Sequence, residues 1–250
     1  MDRVDLEVRP GEIFGLLGAN GAGKSTMMKM LTTLLAPSGG DAVVSGFDIL
    51  AEPARVRASI GYVPQLLSAD GALTAYENLR LSAKLYGIPA AQRDGRIAEA
   101  LAFMGLAEAA TRLVRTYSGG MVRRLELAQA MLHRPSILFL DEPTIGLDPV
   151  ARRSVWERLL VLRRDFGMTV LMTTHDMEEA ETLCDRIAIL LAGRIAACGS
   201  PGELAASLGD EATMDDVFAH YAGGSIRESG ELTADFVATR QARRTARRLG

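Results

Sequence analysis

The segment that most constrains the fold lies near the start of the chain. Residues 12–17 form a short and almost wholly apolar run, as a buried strand does, and residues 18–26 then read Gly-Ala-Asn-Gly-Ala-Gly-Lys-Ser-Thr. A helical pattern continues from there to about Leu35. A strand, a glycine-rich loop ending in Lys-Ser and a helix make up the P-loop, which binds the phosphates of nucleoside triphosphates. The sequence therefore predicts an α/β fold with a nucleotide site at residues 18–26, named here the phosphate loop.

The lysine of this loop stands out because lysine is rare in the chain. Of the 28 basic residues only three are lysines, at positions 24, 29 and 84. Glycines let successive backbone N–H groups turn toward phosphate oxygens, and the helix N-terminus adds a favourable dipole. We therefore expect Lys24 to contact the β- and γ-phosphates, Ser25 to offer its hydroxyl to Mg²⁺, and Thr26 to contact the α-phosphate.

Two adjacent carboxylates form a second chemical feature. Residues 136–140 are largely apolar, which is typical of a strand buried on both faces, and Asp141, Glu142 and Pro143 follow directly. An aspartate at the end of such a strand fits the residue that orients Mg²⁺, and the next glutamate fits the base that positions the attacking water. Without the phosphate loop, the pair would also fit a solvated acidic turn.

Composition excludes several classes of protein. The 250 residues are 48% hydrophobic and 24% charged with only two cysteines, which is typical of a globular protein and not of a disulfide-rich, collagen-like or disordered one. The longest strongly apolar stretch, residues 187–192, is far shorter than the roughly 20 residues that cross a bilayer. Residues 1–9 alternate polar and apolar as a strand does and lack the apolar centre of a signal peptide. We therefore expect the chain to stay in the cytosol unless a partner holds it elsewhere.

The formal net charge of −3 is unevenly distributed along the chain. Residues 225–250 contain six Arg and three acidic residues, whereas residues 1–224 contain 22 basic and 28 acidic residues. The acidic body gives no nucleic-acid signature, so no nucleic-acid partner is expected. We expect the basic tail to be a solvated, flexible end. A helix lying on anionic lipid and a contact with nucleic acid are the alternatives for this tail.

A second glycine motif lies between the phosphate loop and the carboxylates. Residues 115–124 read Arg-Thr-Tyr-Ser-Gly-Gly-Met-Val-Arg-Arg, with Ser118, Gly119 and Gly120 at the centre. This segment resembles the signature motif of the ATP-binding cassette (ABC) transporter ATPases, which is usually Leu-Ser-Gly-Gly-Gln. The flanking Tyr and Met, with the Arg-Arg-Leu-Glu-Leu-Ala that follows, resemble the drug-export branch typified by daunorubicin-resistance ATPases. By itself the segment also fits an ordinary helix start with Ser118 as its N-cap.

Three smaller motifs occur in the order that this family has. They resemble the Q-loop, the D-loop and the H-loop, and they lie at residues 61–65, 146–149 and 173–176. The resemblance implies that Gln65 reports the γ-phosphate and Mg²⁺ to a membrane partner, that Asp148 faces across a dimer, and that His175 contacts the γ-phosphate.

The resemblance also implies how the site is completed. Two subunits pair head to tail, and the signature motif of one completes the ATP site of the other, so a homodimer is expected. The expected catalytic residues are Lys24, Gln65, Glu142 and His175, and the expected Mg²⁺ ligands are Ser25, Gln65 and Asp141. The residues expected to bind ATP are Gly18, Asn20, Gly21, Ala22, Gly23, Lys24, Ser25, Thr26, Gln65, Ser118, Gly119, Gly120, Asp148 and His175.

The fold that the resemblance implies is an α/β P-loop NTPase of the ABC ATPase type. It has a RecA-like core, a helical insert subdomain and a small antiparallel β subdomain. We expect one ABC ATPase domain at residues 1–222, followed by the basic tail at 223–250. Within the domain, the helical insert is expected at about residues 66–117 and a C-terminal accessory segment at about 199–222.

Local patterns predict individual elements. Thr74 begins a capping box for a helix to about Gly87, and Asp148 followed by Pro149 predicts the start of another helix. Residues 187–191 and 194–198 predict a hairpin. Four apolar residues at helical spacing predict a core stripe on the helix over residues 148–166, namely Val155, Leu159, Leu162 and Phe166.

One feature of the family is missing from this sequence. In the family, an aromatic residue on a strand well upstream of the phosphate loop stacks on adenine, but only 17 residues precede Gly18. Phe14 is too close, because it lies on the strand itself. Either the native start lies upstream, or base recognition is weaker and less specific.

With the resemblance, these motifs predict the ATP-hydrolysing subunit of a multisubunit ABC exporter at the cytoplasmic face of the cell membrane. It would use ATP and Mg²⁺ to power efflux of a drug-like or other small molecule through separate transmembrane permease subunits. The alternatives are an ABC ATPase that acts on DNA or the ribosome and a nucleotide-binding regulator with little turnover. Only 94 residues separate Lys24 from Ser118, too few for the long insertion of chromosome and repair proteins, and the chain has a single cassette.

Overall fold

A six-stranded sheet lies at the centre of the computed structural model, which describes residues 1–209 and 211–229. The strands in chain order are β1 (Ile13–Leu17), β2 (Val43–Val44), β3 (Phe47–Asp48), β4 (Ile60–Val63), β5 (Ile137–Asp141), β6 (Thr169–Thr174), β7 (Arg186–Leu191) and β8 (Arg194–Gly199). The central sheet has the order β4-β5-β6-β1-β7-β8, and within it only β8 runs antiparallel to its neighbour. β2 and β3 form a separate antiparallel pair. The expected α/β architecture with a small antiparallel β unit is confirmed.

Helices connect these strands. In chain order they are α1 (Lys24–Leu31), α2 (Pro53–Ser59), α3 (Ala75–Leu85), α4 (Ala90–Phe103), α5 (Gly119–Met131), α6 (Pro149–Phe166), α7 (Met177–Leu183), α8 (Pro201–Ala206) and α9 (Met214–Ser229). Two short 3₁₀ turns, Ala107–Ala109 and Val114–Thr116, lie between α4 and α5. The segment expected to be a helical insert therefore contains α3, α4 and both turns. None of the helices in the described residues has the length and apolar character needed to cross a membrane.

The central strands are buried on both faces, as their continuous apolar sequences predict. In β1, Ile13 and Leu17 belong to one core layer, which also contains the buried side chains of α3 to α6. Phe14 and Leu16 point to the opposite layer, where they meet Met28 of α1. Successive strand residues face opposite sides, so this one short strand joins both layers of the core.

The parallel register brings the carboxyl ends of β1, β5 and β6 to one edge of the sheet. Leu17 pairs with Thr174, and Asp141 pairs with Thr173. The phosphate loop leaves the sheet directly after β1, and His175 directly follows β6. Ligand sites of parallel α/β sheets lie at this edge. The topology therefore gathers motifs that are far apart in the sequence.

The helix starts predicted from the sequence are confirmed. Thr74 and Glu77 form a reciprocal capping box at α3. The Asp148 carboxylate accepts hydrogen bonds from the backbone N–H groups of Val150 and Ala151 at 3.0 and 2.9 Å, with Pro149 in the first turn of α6. These motifs act within one turn of helix, so local sequence is sufficient to specify them.

Three local predictions are corrected by the structure. Helix α1 ends at Leu31 instead of about Leu35, because Thr33 adopts a left-handed φ of 63°, which a helix cannot continue through. Residues 1–9 form no strand, although Val4 and its alternate apolar neighbours do pack against the core layer beside α1. Phe166 does not extend the core stripe of α6, because it lies at the last turn and 62% of it is exposed.

The C-terminal part of the chain is described only in part. Helix α9 continues to Ser229, beyond the expected domain boundary at residue 222. Residues 230–250, which carry most of the expected basic tail, lie outside the described residues. The two cysteines are free thiols, with Cys184 buried and Cys198 exposed.

Close packing of α5 on β4 depends on Gly61. A methyl group at this position would meet the carbonyl oxygen of Ala130 at less than contact distance and lie 3.0 Å from a methyl carbon of Leu138. We therefore expect Gly61→Ala to lower the free energy of unfolding by about 1–3 kcal/mol, as overpacking does. Gly95 in α4 has open space around it, so the control Gly95→Ala should raise stability by about 0.5–1 kcal/mol. Urea denaturation measures both, and equal stabilities for the two variants would contradict this packing.

Candidate functional site

The phosphate loop turns sharply between β1 and α1. Gly21 and Gly23 adopt left-handed φ angles of 81° and 109°, which glycine accepts without strain. Lys24 is the first residue of α1 and is buried. Its ammonium group donates hydrogen bonds to the carbonyl oxygens of Gly18 and Ala19 at 2.7 and 3.2 Å. Hydrogen bonds within the phosphate loop thus hold the lysine in position at the N-terminus of α1.

Lys24 also contacts the carboxylate that follows β5. Its Nζ lies 3.1 Å from Oε1 of Glu142, and only 5% of each side chain is exposed. Glu142 has a left-handed φ of 48°. Strained backbone in a non-glycine residue is common at functional sites, where the surrounding structure enforces it. The fold therefore holds a buried carboxylate against the lysine in a conformation that the residue alone disfavours.

Asp141 connects this carboxylate to the phosphate loop. Its Oδ1 accepts hydrogen bonds from the hydroxyls of Ser25, at 3.1 Å, and Thr173, at 2.6 Å. The Thr173 hydroxyl in turn accepts a hydrogen bond from the backbone N–H of Glu142 at 2.9 Å. Thr173 was not a predicted site residue, but the β5–β6 register places it opposite Asp141. It therefore bonds both the carboxylate of Asp141 and the backbone of Glu142.

Two further predicted residues meet at the other oxygen of Glu142. His175 Nδ1 lies 3.3 Å from Oε2, and Gln65 Nε2 lies 3.4 Å from the same oxygen. The hydrogen bond to Glu142 raises the pKa of His175. The same bond is the main reason that the pKa of Glu142 is lowered, and Lys24 acts in the same direction against the opposing effect of burial. Three of the four expected catalytic residues therefore converge on the carboxylate of the fourth, Glu142.

The arrangement fits a magnesium-bound nucleoside triphosphate. Ser25, Asp141 and Gln65 offer hydroxyl, carboxylate and amide oxygens, the hard ligands that Mg²⁺ prefers. No group of three or more His, Cys, Asp or Glu side chains within the described residues could hold a metal alone. Magnesium in nucleotide sites is usually bound by one or two carboxylates together with substrate phosphates, and this donor set agrees with that pattern.

The signature motif lies apart from this cluster. Ser118 is exposed and caps α5, since its hydroxyl accepts a hydrogen bond from the backbone N–H of Met121 at 3.3 Å. Gly120 packs so closely on Ala151 of α6 that a Cβ there would lie 2.6 Å from the Ala151 side chain. Within the described residues, no hydrogen bond or ion pair joins Ser118 or Asp148 to the phosphate loop of the same chain. Ser118, Gly119 and Asp148 are exposed at these two helix starts, whereas Gly120 is buried between them.

The predicted site residues differ in their exposure to solvent. Gly18 and Ala22 are buried, Gly23 and Ser25 are partly buried, and Asn20, Gly21, Thr26, Gln65, Gly119, Asp148 and His175 are exposed. Phe14 is completely buried in the sheet. It is therefore not available to stack on a base, as its position in the strand predicts.

A buried carboxylate behind the site was also missed by the sequence analysis. Glu179 of α7 accepts hydrogen bonds from the Thr144 hydroxyl at 2.6 Å and from the Trp156 indole N–H at 2.9 Å. Burial raises its pKa. A small cavity of about 80 Å³ is lined in part by Glu179, Glu142 and His175. Only the acidic sequence of α7, which is otherwise typical of a helix start, could have drawn attention to this residue.

Several known proteins are similar to this chain in sequence. A family model described as ABC transporter matches residues 1–145. The chain is 48% identical over 209 residues to the daunorubicin/doxorubicin resistance ATP-binding protein DrrA of Streptomyces peucetius. That match covers 84% of this chain and 63% of the relative, so the chain spans somewhat less than two thirds of the relative's length.

Solved structures are similar in fold. The structure of an ATP binding subunit of an ABC transporter has a TM-score of 0.77 and 31% identity, covering 88% of this chain and 91% of the other. A dimeric structure of a post-hydrolysis state of the ATP-binding cassette MJ0796, bound to ADP and Pi, has a TM-score of 0.71 and 28% identity. It covers 79% of this chain and 88% of the other.

Proposed function

The chain belongs to the ABC transporter family, and on this premise we propose that it is the ATP-hydrolysing subunit of a multisubunit exporter. The observation that carries the proposal is the convergence of Lys24, Gln65 and His175 on Glu142. An ammonium group, an amide and an imidazole around one carboxylate supply the positive charge and the base that phosphoryl transfer to water requires.

Each of these side chains has a separate role in the proposed reaction. Lys24 binds the β- and γ-phosphates of ATP, while backbone N–H groups of the phosphate loop hold their oxygens. Glu142 orients the attacking water and accepts its proton. His175 and Gln65 flank the γ-phosphate and keep the Glu142 carboxylate in place. Thr26 contacts the α-phosphate at the start of α1.

Magnesium fits beside this carboxylate. We propose that Ser25, Asp141 and Gln65 hold it together with phosphate oxygens. When bound, the cation neutralises charge on the β- and γ-phosphates. The Thr173 hydroxyl keeps Asp141 oriented toward Ser25, as its hydrogen bond in this structure indicates.

The exposure of Ser118 and Gly119 in the signature motif supports a head-to-tail homodimer. Ser118, Gly119 and Gly120 open a helix whose N-terminal N–H groups suit a phosphate, and in the same chain they lie apart from Lys24. We propose that they contact the ATP held by the partner subunit, with Asp148 beside them at the interface. Each ATP site then requires both chains.

The exporter also requires permease subunits. Leu66 and Leu67 beside Gln65 are 82% and 58% exposed, and Leu85 of α3 is 78% exposed. We propose that this part of the insert docks the permease and holds the chain at the cytoplasmic face of the membrane. DrrA is named for daunorubicin and doxorubicin resistance, so we propose a drug-like or other small molecule as the cargo. No nucleic-acid partner enters the proposal. The domain is taken to be residues 1–222, with an accessory segment at 199–222.

Magnesium-dependent turnover of the full 250-residue chain tests the proposal. We expect steady phosphate release from ATP in the presence of Mg²⁺, loss of release on chelation with EDTA, and recovery when excess Mg²⁺ is restored. A coupled phosphate assay measures the rate, and binding of a fluorescent ATP analogue is measured in parallel. A chain that binds the nucleotide but releases no phosphate with Mg²⁺ present would be a regulator and not an ATPase.

A further inference from the structure

A buried ion pair on α5 lies outside the expected site residues. Arg123 Nη1 lies 2.9 Å from Glu126 Oε2, and the two side chains are only 2% and 1% exposed. Arg123 is also the largest fully buried side chain within the described residues. Burying two charges costs free energy, which the hydrogen bonds that the pair makes must offset.

Both members of the pair bind the segment that carries Gln65, named here the Gln65 segment (residues 64–69). Arg123 donates one hydrogen bond to the carbonyl oxygen of Pro64, at 2.8 Å, and another to that of Gln65, at 3.0 Å. The Glu126 carboxylate accepts hydrogen bonds from the backbone N–H and hydroxyl of Ser68 and from the N–H of Ala69. The pair therefore forms hydrogen bonds with both ends of this segment.

The Gln65 segment depends on these bonds for its position. It follows β4 directly, and Gln65, Leu66 and Leu67 are exposed, so packing holds the middle of the segment weakly. The forked guanidinium can bond two carbonyl groups and a carboxylate at once, which a lysine ammonium cannot do with the same geometry.

The N-terminal end of the same helix carries the signature motif. α5 begins next to Ser118, and Arg123 and Glu126 lie on its second turn. Ser118 and the pair therefore lie within the first two turns of one helix. Gln65 in turn contacts Glu142.

We propose that the Arg123–Glu126 pair positions Gln65 for hydrolysis and ties that position to the signature motif at the start of the same helix. The inference rests on the proposed ATPase function. Arg123 and Glu126 are positioning residues, since neither contacts the phosphate loop. In the proposed dimer, the signature motif of a subunit contacts the ATP held by its partner, and Gln65 contacts the ATP held by the subunit itself. The Arg123–Glu126 pair connects these two elements within one chain.

The double variant Arg123→Met/Glu126→Leu in the full chain tests this proposal. Apolar replacements of similar size for a buried ion pair commonly preserve stability, so we expect an unchanged or higher melting temperature. The carbonyl groups of Pro64 and Gln65 then lose their donors. We expect kcat to fall about tenfold to a hundredfold, as small misplacements do, while KM for ATP stays within about twofold because the phosphate loop is untouched.

Arg124→Gln is the matched control. Arg124 is the neighbouring residue of α5, but it donates to the carbonyl oxygen of Met104 in the insert, at 2.9 Å, and not to the Gln65 segment. We expect its kcat to equal that of the wild type. A second variant, Arg123→Lys, keeps the positive charge but loses the forked guanidinium that donates to two carbonyl oxygens. We expect its kcat to be lower than that of the wild type.

A folded double variant with wild-type kcat would overturn the proposal, and so would full rescue by Arg123→Lys. If the double variant does not fold, the kcat of Arg123→Lys tests the proposal: a reduced kcat supports it and a wild-type kcat overturns it. Failure of the proposed function has a different signature, because the wild-type chain itself would then release no phosphate with Mg²⁺.

Discussion

Glu142→Gln should lower ATP turnover by about a hundredfold or more while leaving ATP binding intact. A positioned general base contributes about 10²–10⁴-fold to a rate, and the amide that replaces the carboxylate cannot accept the proton of the attacking water. The amide has the same size and can still meet Lys24 and Gln65, so the pocket keeps its shape. Nucleotide binding and single-turnover hydrolysis measure the two effects separately.

The same variant should accumulate as an ATP-bound dimer, because hydrolysis is the step expected to reopen the proposed dimer. Size-exclusion chromatography with light scattering, with and without ATP, measures this shift. Glu178→Gln is the control, since Glu178 is an exposed carboxylate close to His175 in the chain. Normal turnover in Glu142→Gln, or equal losses in both variants, would show that Glu142 is not the base.

The ionisation of His175 reports on the same contact. A raised pKa means that the contribution of His175 to stability is present below its ordinary pKa of about 6.5 and is lost as the pH rises through the raised value. The lowered pKa of Glu142 means that its contribution is present above about 4.3 and is lost as the pH falls. The charged pair is therefore complete between these values. In Glu142→Gln, an NMR titration should show the pKa of His175 falling back toward 6.5.

Lys24→Ala should reduce ATP turnover by at least about a hundredfold. Removing one preorganised donor from a buried site commonly costs about 10²–10³ in rate. Lys24 also holds the loop itself through Gly18 and Ala19, so we expect weaker ATP binding as well. Initial rates over a range of ATP concentrations separate the loss in kcat from the rise in KM.

Lys29→Ala is the matched control for this prediction. Lys29 lies in the last turn of the same helix and is exposed, so its loss changes the net charge equally without touching the site. We expect wild-type turnover from it. If Lys24→Ala hydrolysed ATP as fast as Lys29→Ala, the phosphate site would have to lie elsewhere.

Local chemistry explains why much of the fold could be predicted from the sequence. A capping box at Thr74 and an Asp148–Pro149 helix start depend on neighbouring residues alone, and the structure contains both. The apolar run at residues 137–140 is short and is followed by Asp-Glu-Pro, which favours the buried strand that the structure contains. The phosphate loop and the Asp141–Glu142 pair could be named because phosphate chemistry requires glycine, lysine and carboxylates at fixed spacing. The roles of Gln65, Asp148 and His175 come only from the resemblance to the ABC ATPases.

Contacts between distant segments explain what could not be predicted. Thr173 is chemically ordinary, and its bond to Asp141 follows from a strand register that no local pattern encodes. No sequence pattern distinguishes Arg123 from the other arginines of the chain, and its burial is visible only in the structure. Phe166 has core spacing but lies at the end of α6, where Gly167 turns the chain away and leaves the ring exposed.

The central position of β1 bears on how the newly made chain matures. β1 leaves the ribosome early, but both of its neighbours, β6 and β7, are synthesised more than a hundred residues later. Until they arrive, its apolar residues have no strand partners and the carbonyl oxygen of Thr174 is not there to accept the N–H of Gly18. Long-range parallel pairing is slow, and unpaired strands invite aggregation. β1 therefore cannot pair with both neighbours until residue 191 has been synthesised, and the phosphate loop gains its full support from the sheet only late in synthesis.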